Sequence, residues 1–384
     1  MYDGPLISLT VCMRNAEHWV DDCLNSLVKQ TYRPLEIIAV DDGSTDGGLA
    51  KLESWEGEHD GIMVTVLKQS PIGLSAGRKL ALEHSEGEWV AITDIDCRPD
   101  PYWISEMFQV SDGLDDEQVL AVTGRTIFDE GDTKTSRLRA RSIARKYMGR
   151  PRLTSLANGP CSMFHREALI EVGGFNPQWY HAEDMEVSLR LLQTGGVIVH
   201  APAAVVHHVA ESSLRLFLFK RSRDARAHMR IRRHFGRHGV HKPNGFILLH
   251  DFVSDAKEVV WMLPIAIIGL GMAIALLLSL PQASFLWWLA ASTTGFWCVL
   301  YASRWHQLLW SGALWFGAGL GLIDALLGRH GHSRLFRMKE RLFFHLSFGC
   351  KHQCHSEAEQ GSGDRVDADI NPVPMHNALV CVES

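Results

Sequence analysis

Four residues, Thr93-Asp94-Ile95-Asp96, carry the clearest chemical signal in the chain. They follow an apolar run, Trp89 to Ile92, which predicts a strand buried on both faces. Where such a strand ends, residues i and i+2 project to one side, so both carboxylates are expected to face one ligand. Two acidic oxygens there suit a hard divalent cation, which can in turn hold a diphosphate. The plain alternative is a solvated acidic turn, because Arg98, Pro99, Asp100 and Pro101 follow directly. A second acidic cluster, Asp41 to Asp46 with Gly43 and Gly47, closes another predicted strand, Glu36 to Val40. Small, turn-forming and acidic residues at the end of a buried strand mark a ligand crevice in open α/β sheets. A third acidic pair, Glu183-Asp184, opens a helix that buries Met185, Leu189 and Leu192. Its backbone N–H groups favour ionised carboxylates, although many ordinary helices start this way.

The elements that must position these residues alternate at βαβ spacing. Strands are expected at Leu6 to Cys12, Glu36 to Val40, Ile62 to Leu67 and Trp89 to Ile92. One helix follows Asn15 as its N-cap and runs to about Lys29; another follows Pro71-Ile72-Gly73 and runs through about His84. The fold class is therefore α/β, a Rossmann-like, mainly parallel sheet flanked by helices. A dinucleotide site is not expected, because Met13-Arg14-Asn15-Ala16-Glu17 puts no glycine where Gly-x-Gly-x-x-Gly should follow the first strand.

With 384 residues the chain can hold one large domain and an appendage. Its eight cysteines are scattered, and Cys12, Cys23, Cys97 and Cys161 fall in or beside predicted core elements, as expected of reduced cytosolic thiols. The formal net charge of −6 conceals a basic stretch between residues 215 and 242 and an acidic tail. A mean hydropathy of −0.03 is high for this charge content, and the excess lies after residue 258. Met1 to Pro5 shows no basic and apolar leader, so no cleaved signal peptide is expected.

Several motifs in order resemble glycosyltransferase family 2. They are Arg14-Asn15, Ser26-Leu27, Gln30-Thr31, Glu36, Val40 to Gly47, Thr93 to Asp96, Arg166 to Leu169, Val172 to Phe175, and Ala182-Glu183-Asp184 with Leu189-Arg190. The resemblance covers roughly residues 5–210 and implies a GT-A fold that transfers sugars from nucleotide diphosphates with inversion. It implies that Asp42 contacts the nucleotide base; a strand-end carboxylate can accept from a uracil-like ring N–H. It places Arg14 and Arg78 near the nucleotide or its phosphates, Asp94 near the ribose and a metal-bound water, and Asp96 on the metal. His208, or its neighbour His207, can complete the metal shell. Asp184 is the expected general base, with Glu183 in support. Lys79 stands where the family usually has asparagine, and no role is carried to it.

Arg137, Arg139, Arg141, Arg145, Lys146, Arg150 and Arg152 form a basic stretch that is read first as a solvated helix face and second as a contact for an anionic acceptor or a lipid headgroup. Asn158 to Ser162 is expected to line the donor sugar and acceptor. From Arg215 to Lys242 the only acid is Asp224; the stretch reads as a headgroup-binding surface, with Arg223 or Arg226 able to close over a diphosphate. A nucleic-acid partner is not expected, because interleaved aromatics and a recognised binding fold are missing. No Gln-x-x-Arg-Trp follows Asp184, which argues against the processive synthases.

Val259 to Leu280, Phe285 to Tyr301 and Leu308 to Leu327 are candidate membrane segments. The basic residues between Arg329 and Arg341 favour two crossings plus a re-entrant or interfacial third. The expected organisation is a GT-A domain over 1–212, a basic interfacial segment over 213–258, membrane helices over 259–328, a basic juxtamembrane segment over 329–355 and a disordered tail over 356–384. Cys350 and Cys354 with His352 and His355 have a spacing that could bind zinc but is usually fortuitous.

The expected protein is a multi-pass inner-membrane enzyme with a cytosolic catalytic domain. It takes a nucleotide diphosphate sugar, UDP-linked by preference, and a lipid-linked or membrane-proximal glycan or glycolipid. The competing readings are a processive polysaccharide synthase and a sugar-nucleotide-binding membrane subunit without turnover.

Overall fold

The computed structural model describes residues 4–111, 118–179, 181–236, 240–241, 247–248, 257–282 and 284–328. The juxtamembrane segment, the tail and the Cys350–Cys354 cluster fall outside the described residues. The four anticipated strands appear as β1 (Ile7–Met13), β2 (Leu35–Asp41), β4 (Ile62–Lys68) and β5 (Trp89–Asp94), with β3 (Gly57–His59) a short hairpin partner of β4. Between them run α1 (Val20–Val28), α2 (Gly48–Glu53) and α3 (Leu74–Glu83). β4, β2, β1 and β5 pair in parallel in that spatial order, so the chain crosses from one side of β1 to the other between β4 and β5. That reversal opens a crevice at the strands' carboxyl ends, where Asp41 and Asp94 lie.

Beyond β5 the sheet is mixed rather than parallel. The next elements are β6 (Cys97–Pro99), α4 (Trp103–Ser111), β7 (Val119–Phe128), α5 (Lys134–Tyr147), β8 (Leu153–Thr154) and β9 (Ser162–His165). They are followed by α6 (Arg166–Glu171), α7 (Glu183–Gln193) and β10 (Val197–His208). β9 sits antiparallel between β5 and β7, β10 is parallel to β7, and β6 is antiparallel to β10. The β10–β6 pairing joins His208 to Cys97, and so brings the end of β10 to the Asp94–Asp96 turn. Ile7, Leu9, Leu24, Ile37, Trp103 and Met163 form the larger core, on the face covered by α1 and α4. Cys12, Cys23, Cys97 and Cys161 are free, and burial pushes their thiols up, to about 12 for Cys12 and Cys161.

Asn15 does not cap a helix. It adopts φ +50°, its Oδ1 accepts from the Thr45 N–H at 2.7 Å, and its own N–H donates to Ser44 Oγ at 2.9 Å. Asparagine tolerates this conformation, and here its amide locks the loop after β1 to the loop after β2. α1 begins later, at Val20, after a single 3₁₀ turn.

After the sheet come α8 (Leu214–Phe235), the small hairpin of β11 (Val240–His241) and β12 (Ile247–Leu248), and α9 (Lys257–Val260). Three long apolar helices follow: α10 (Met262–Ser279), α11 (Phe285–Ser303) and α12 (Trp305–Leu326). All three are long and apolar enough to cross a membrane.

Candidate functional site

The crevice at the ends of β1, β2 and β5 widens into a cavity of about 660 Å³. Its lining includes Arg14, Asp42, Arg78, Asp94, Glu183, Asp184 and His208, gathered from six separate elements and loops. Asp42 sits one residue past β2. Its Oδ1 accepts from Gln69 Nε2 at 2.7 Å and from the N–H groups of Ile72 and Gly73 at 2.9 and 3.0 Å. These bonds draw the loop before α3 across the strand end. Gly43 permits the approach, since at φ +67° a Cβ there would lie 2.7 Å from the Pro71 ring.

Arg78 is the buried hub. From α3 it reaches Glu183 Oε1 at 2.7 Å and Asp94 Oδ1 at 2.9 Å, and donates to the Gly159 carbonyl at 3.4 Å. Only 3% of it is exposed. Burial opposes its charge, but Glu183, Asp94 and Asp184 outweigh burial and raise its pKa. Burial likewise pushes the Glu183 carboxyl up to about 7, against the pull of Arg78 and with the help of Asp184. Asp184 is held by two backbone donors, Gly159 N–H to Oδ2 at 3.0 Å and Met185 N–H to Oδ1 at 2.8 Å. Each oxygen keeps a free lone pair. Ala182 delivers this pair through a left-handed φ of +61°, which costs a non-glycine residue about 1–2 kcal/mol.

A cation site fits the turn after β5. Asp96 Oδ2 lies 3.4 Å from His208 Nε2, and Cys97 completes a group whose ligand atoms all lie within 4.8 Å of one another. His208 Nδ1 is 2.8 Å from the Val209 carbonyl, which assigns the ring proton to Nδ1 and leaves the Nε2 lone pair facing Asp96. Phe128 stacks on the ring at 4.1 Å and fixes its plane. Burial raises the Asp96 carboxyl, with Asp94 adding to the rise, and a divalent cation would relieve both. Burial also lifts the Cys97 thiol well above its usual value, so it is the weakest ligand of the three. Asp94 stands apart, engaged with Arg78. The strand runs on to Asp94 and the chain then turns, so strand alternation does not relate Asp94 to Asp96.

The basic stretches divide. Arg139 and Lys146 line the cavity, as do Lys220, Arg221, Arg223 and Arg232 of α8. Arg226 does not; it pairs with Asp324 of α12 through two bonds of 2.6 and 2.8 Å. Asn158 Nδ2 donates to Thr126 Oγ1 and Tyr147 Oη, both at 2.8 Å, which fixes the loop that carries Gly159. His181, Asp224 and Glu211 were not anticipated as members of the site. His181 Nε2 is 2.6 Å from Asp224 Oδ1, and Asp224 also takes Arg221 at 3.0 Å. The available signals were a histidine two residues before Glu183 and one acid in a run of cations.

Residues 8–173 match the family Glycosyl transferase family 2. An uncharacterized glycosyltransferase of Haemophilus influenzae is 35% identical over 107 residues, 28% of this chain and 33% of the relative. An uncharacterized glycosyltransferase, EpsJ, of Bacillus subtilis is 27% identical over 150 residues, 39% of this chain and 42% of the relative. The chain thus spans less than half the length of these two relatives. Among solved structures, the mannosyltransferase PcManGT of Pyrobaculum calidifontis, in complex with GDP-mannose and Mn²⁺, superposes with a TM-score of 0.61 at 22% identity. That likeness covers 84% of this chain and 88% of the other, and shows a shared fold.

Proposed function

Since residues 8–173 match glycosyl transferase family 2 and the fold is GT-A, we propose that the protein is an inverting, metal-dependent glycosyltransferase of that family. The donor is a nucleotide diphosphate sugar, UDP-linked by the family resemblance, and the acceptor is a lipid-linked or membrane-proximal glycan or glycolipid. α10 and α11 cross the bilayer as a hairpin that anchors the catalytic domain on the cytosolic side of the inner membrane. The observation that carries this reading is the convergence of Asp42, Asp94, Asp184 and His208 on one cavity, with Asp96 at its edge.

Asp42 and Arg14 hold the nucleoside end. Asp94, fixed by Arg78, faces the ribose. Asp96 and His208 would hold Mn²⁺ or Mg²⁺, which supplies positive charge opposite the departing diphosphate. An acceptor hydroxyl oxygen attacks the anomeric carbon and its proton passes to Asp184. The bond between that carbon and the diphosphate oxygen breaks, and the nucleoside diphosphate leaves with its electron pair. Glu183 and Arg78 hold Asp184 and Asp94 in register and stay off the reacting atoms.

The test is donor binding and turnover across UDP-, GDP- and dTDP-sugars, with Mn²⁺, with Mg²⁺ and with EDTA, for wild type and Asp184→Asn. Binding of one donor only with metal is expected. The variant should bind that donor normally and turn it over about 10²–10⁴-fold more slowly, the usual range for loss of a general base. Failure of every donor to bind would remove the enzyme reading and leave a scaffolding role.

A further inference from the structure

α12 resembles α10 and α11 in length and apolarity, but its neighbours differ. α10 and α11 pair with each other as an antiparallel hairpin. Trp287 Nε1 donates to the Leu277 carbonyl at 3.2 Å, and a Cβ on Gly269 would touch the Trp297 ring. α10 buries none of its residues and α11 only Ala290. α12 instead packs along α8, and the two run the same way. Trp310 meets Phe217 edge-on at 5.2 Å, a Cβ on Gly317 would strike the Ser222 carbonyl, a Cβ on Gly321 would strike Met229, and Asp324 pairs with Arg226.

The partner helix decides where α12 can lie. α8 carries Arg215, Lys220, Arg221, Arg223, Arg226, Arg230, Arg232 and Arg233. Several of these line the catalytic cavity, so α8 belongs to the catalytic domain. A crossing α12 would carry them into hydrocarbon, where each cationic side chain is costly. Its register against α10 agrees. Ser311 and Trp315, in the first half of α12, bond to Val260 at the end of α9 and to Leu263 at the start of α10. Had α12 entered the bilayer beside α10, its middle would face the middle of α10. Its outward side carries an apolar stripe, Trp305, Leu309, Phe316 and Ile323, extended by Leu327 just past its end, spaced for one helix face and exposed.

We propose that α12 lies in the plane of the membrane surface rather than crossing it. Its outer stripe rests on lipid acyl chains, and its inner face, through Trp310, Leu314 and Ala318, supplies the apolar wall of the catalytic cavity. The lipid surface is the partner of the stripe because the stripe continues directly from α11 across a single residue, Arg304. This rests on the reading that α10 and α11 cross.

The full-length protein, with Cys298, Cys350, Cys354 and Cys381 replaced by serine, is labelled with bimane at one new cysteine and reconstituted in phosphatidylcholine–phosphatidylglycerol vesicles. The labelled positions are Leu309→Cys, Phe316→Cys and Ile323→Cys in α12 and Phe296→Cys in α11, all exposed. Lipids carrying a nitroxide at shallow or deep positions then report depth. The expected result is one common shallow depth for the three α12 probes and a deep position for Phe296. A spread of about 21 Å between Leu309 and Ile323, the rise of that stretch of helix, with Phe316 at the bilayer centre, would overturn the proposal and leave the α10–α11 crossing intact. A shallow Phe296 would remove the crossing reading itself, and the proposal with it.

Discussion

Arg78 shows how one side chain holds three functional segments in place. It links α3 to the end of β5 and the start of α7, with Phe175 5.8 Å beneath its guanidinium. Arg78→Met leaves Glu183 buried beside Asp184 without its counter-charge. Loss of one partner from a buried ion pair costs about 3–5 kcal/mol. A denaturant melt should register that loss, and the double variant Arg78→Met with Glu183→Gln should recover part of it. Recovery would show that the cost was the stranded charge and not lost packing. In the sequence Arg78 is one arginine on a helix; its importance arises from burial between two acids that lie 16 and 105 residues away.

At the scale of elements, α8 is tied inward and outward by charge and by close backbone contact. Glu211 gathers Lys220 at 2.7 Å and Arg139 at 3.4 Å, and so joins α8 to α5. Burial raises the Glu211 carboxyl, but Arg139, Arg221 and Lys220 prevail and bring it down from 4.5 to about 2. A depressed folded pKa means stability that is present above pH 4.5 and lost as pH falls toward 2. The loss should approach about 3 kcal/mol. Urea melts between pH 6 and 3 should show this slope in wild type and a flatter one in Glu211→Gln. On the outward side, Gly317→Val forces a side chain against the Ser222 carbonyl, because a Cβ there would lie 2.0 Å away. It should cost about 1–3 kcal/mol in thermal melts. Gly319→Val in the same helix meets open space and serves as the near-neutral control.

At the scale of the whole molecule, an α/β sheet with the GT-A fold is joined through one charged helix to apolar helices whose surface is largely exposed. Ile267, Met272, Leu278, Phe285 and Phe296 are each more than half exposed, an area that only lipid or another apolar partner would cover. The full-length protein should therefore stay in the membrane fraction through an alkaline carbonate wash and be released by detergent. Release by carbonate alone would mean that the apolar helices are covered by protein.

The linear sequence determined the α/β class, the four parallel strands and the family motifs, because each depends on local periodicity or on residues adjacent in the chain. β1, β2, β4 and β5 lie within a residue or two of where alternation and apolar runs place them. It also located Asp42, Asp94, Asp184 and His208, which tertiary packing then gathers around one cavity. Packing alone decided that β9 inserts antiparallel beside β5 and that Asn15 ties two loops instead of capping a helix. It also selected Arg139 and Lys146 from a row of similar cations to face the cavity, and set Arg226 against Asp324. These outcomes depend on partners far away in the chain, and a charged side chain carries no local mark of the partner it will meet. For the same reason α10, α11 and α12 look alike as sequences, while the basic helix that α12 packs against sets it apart from the other two.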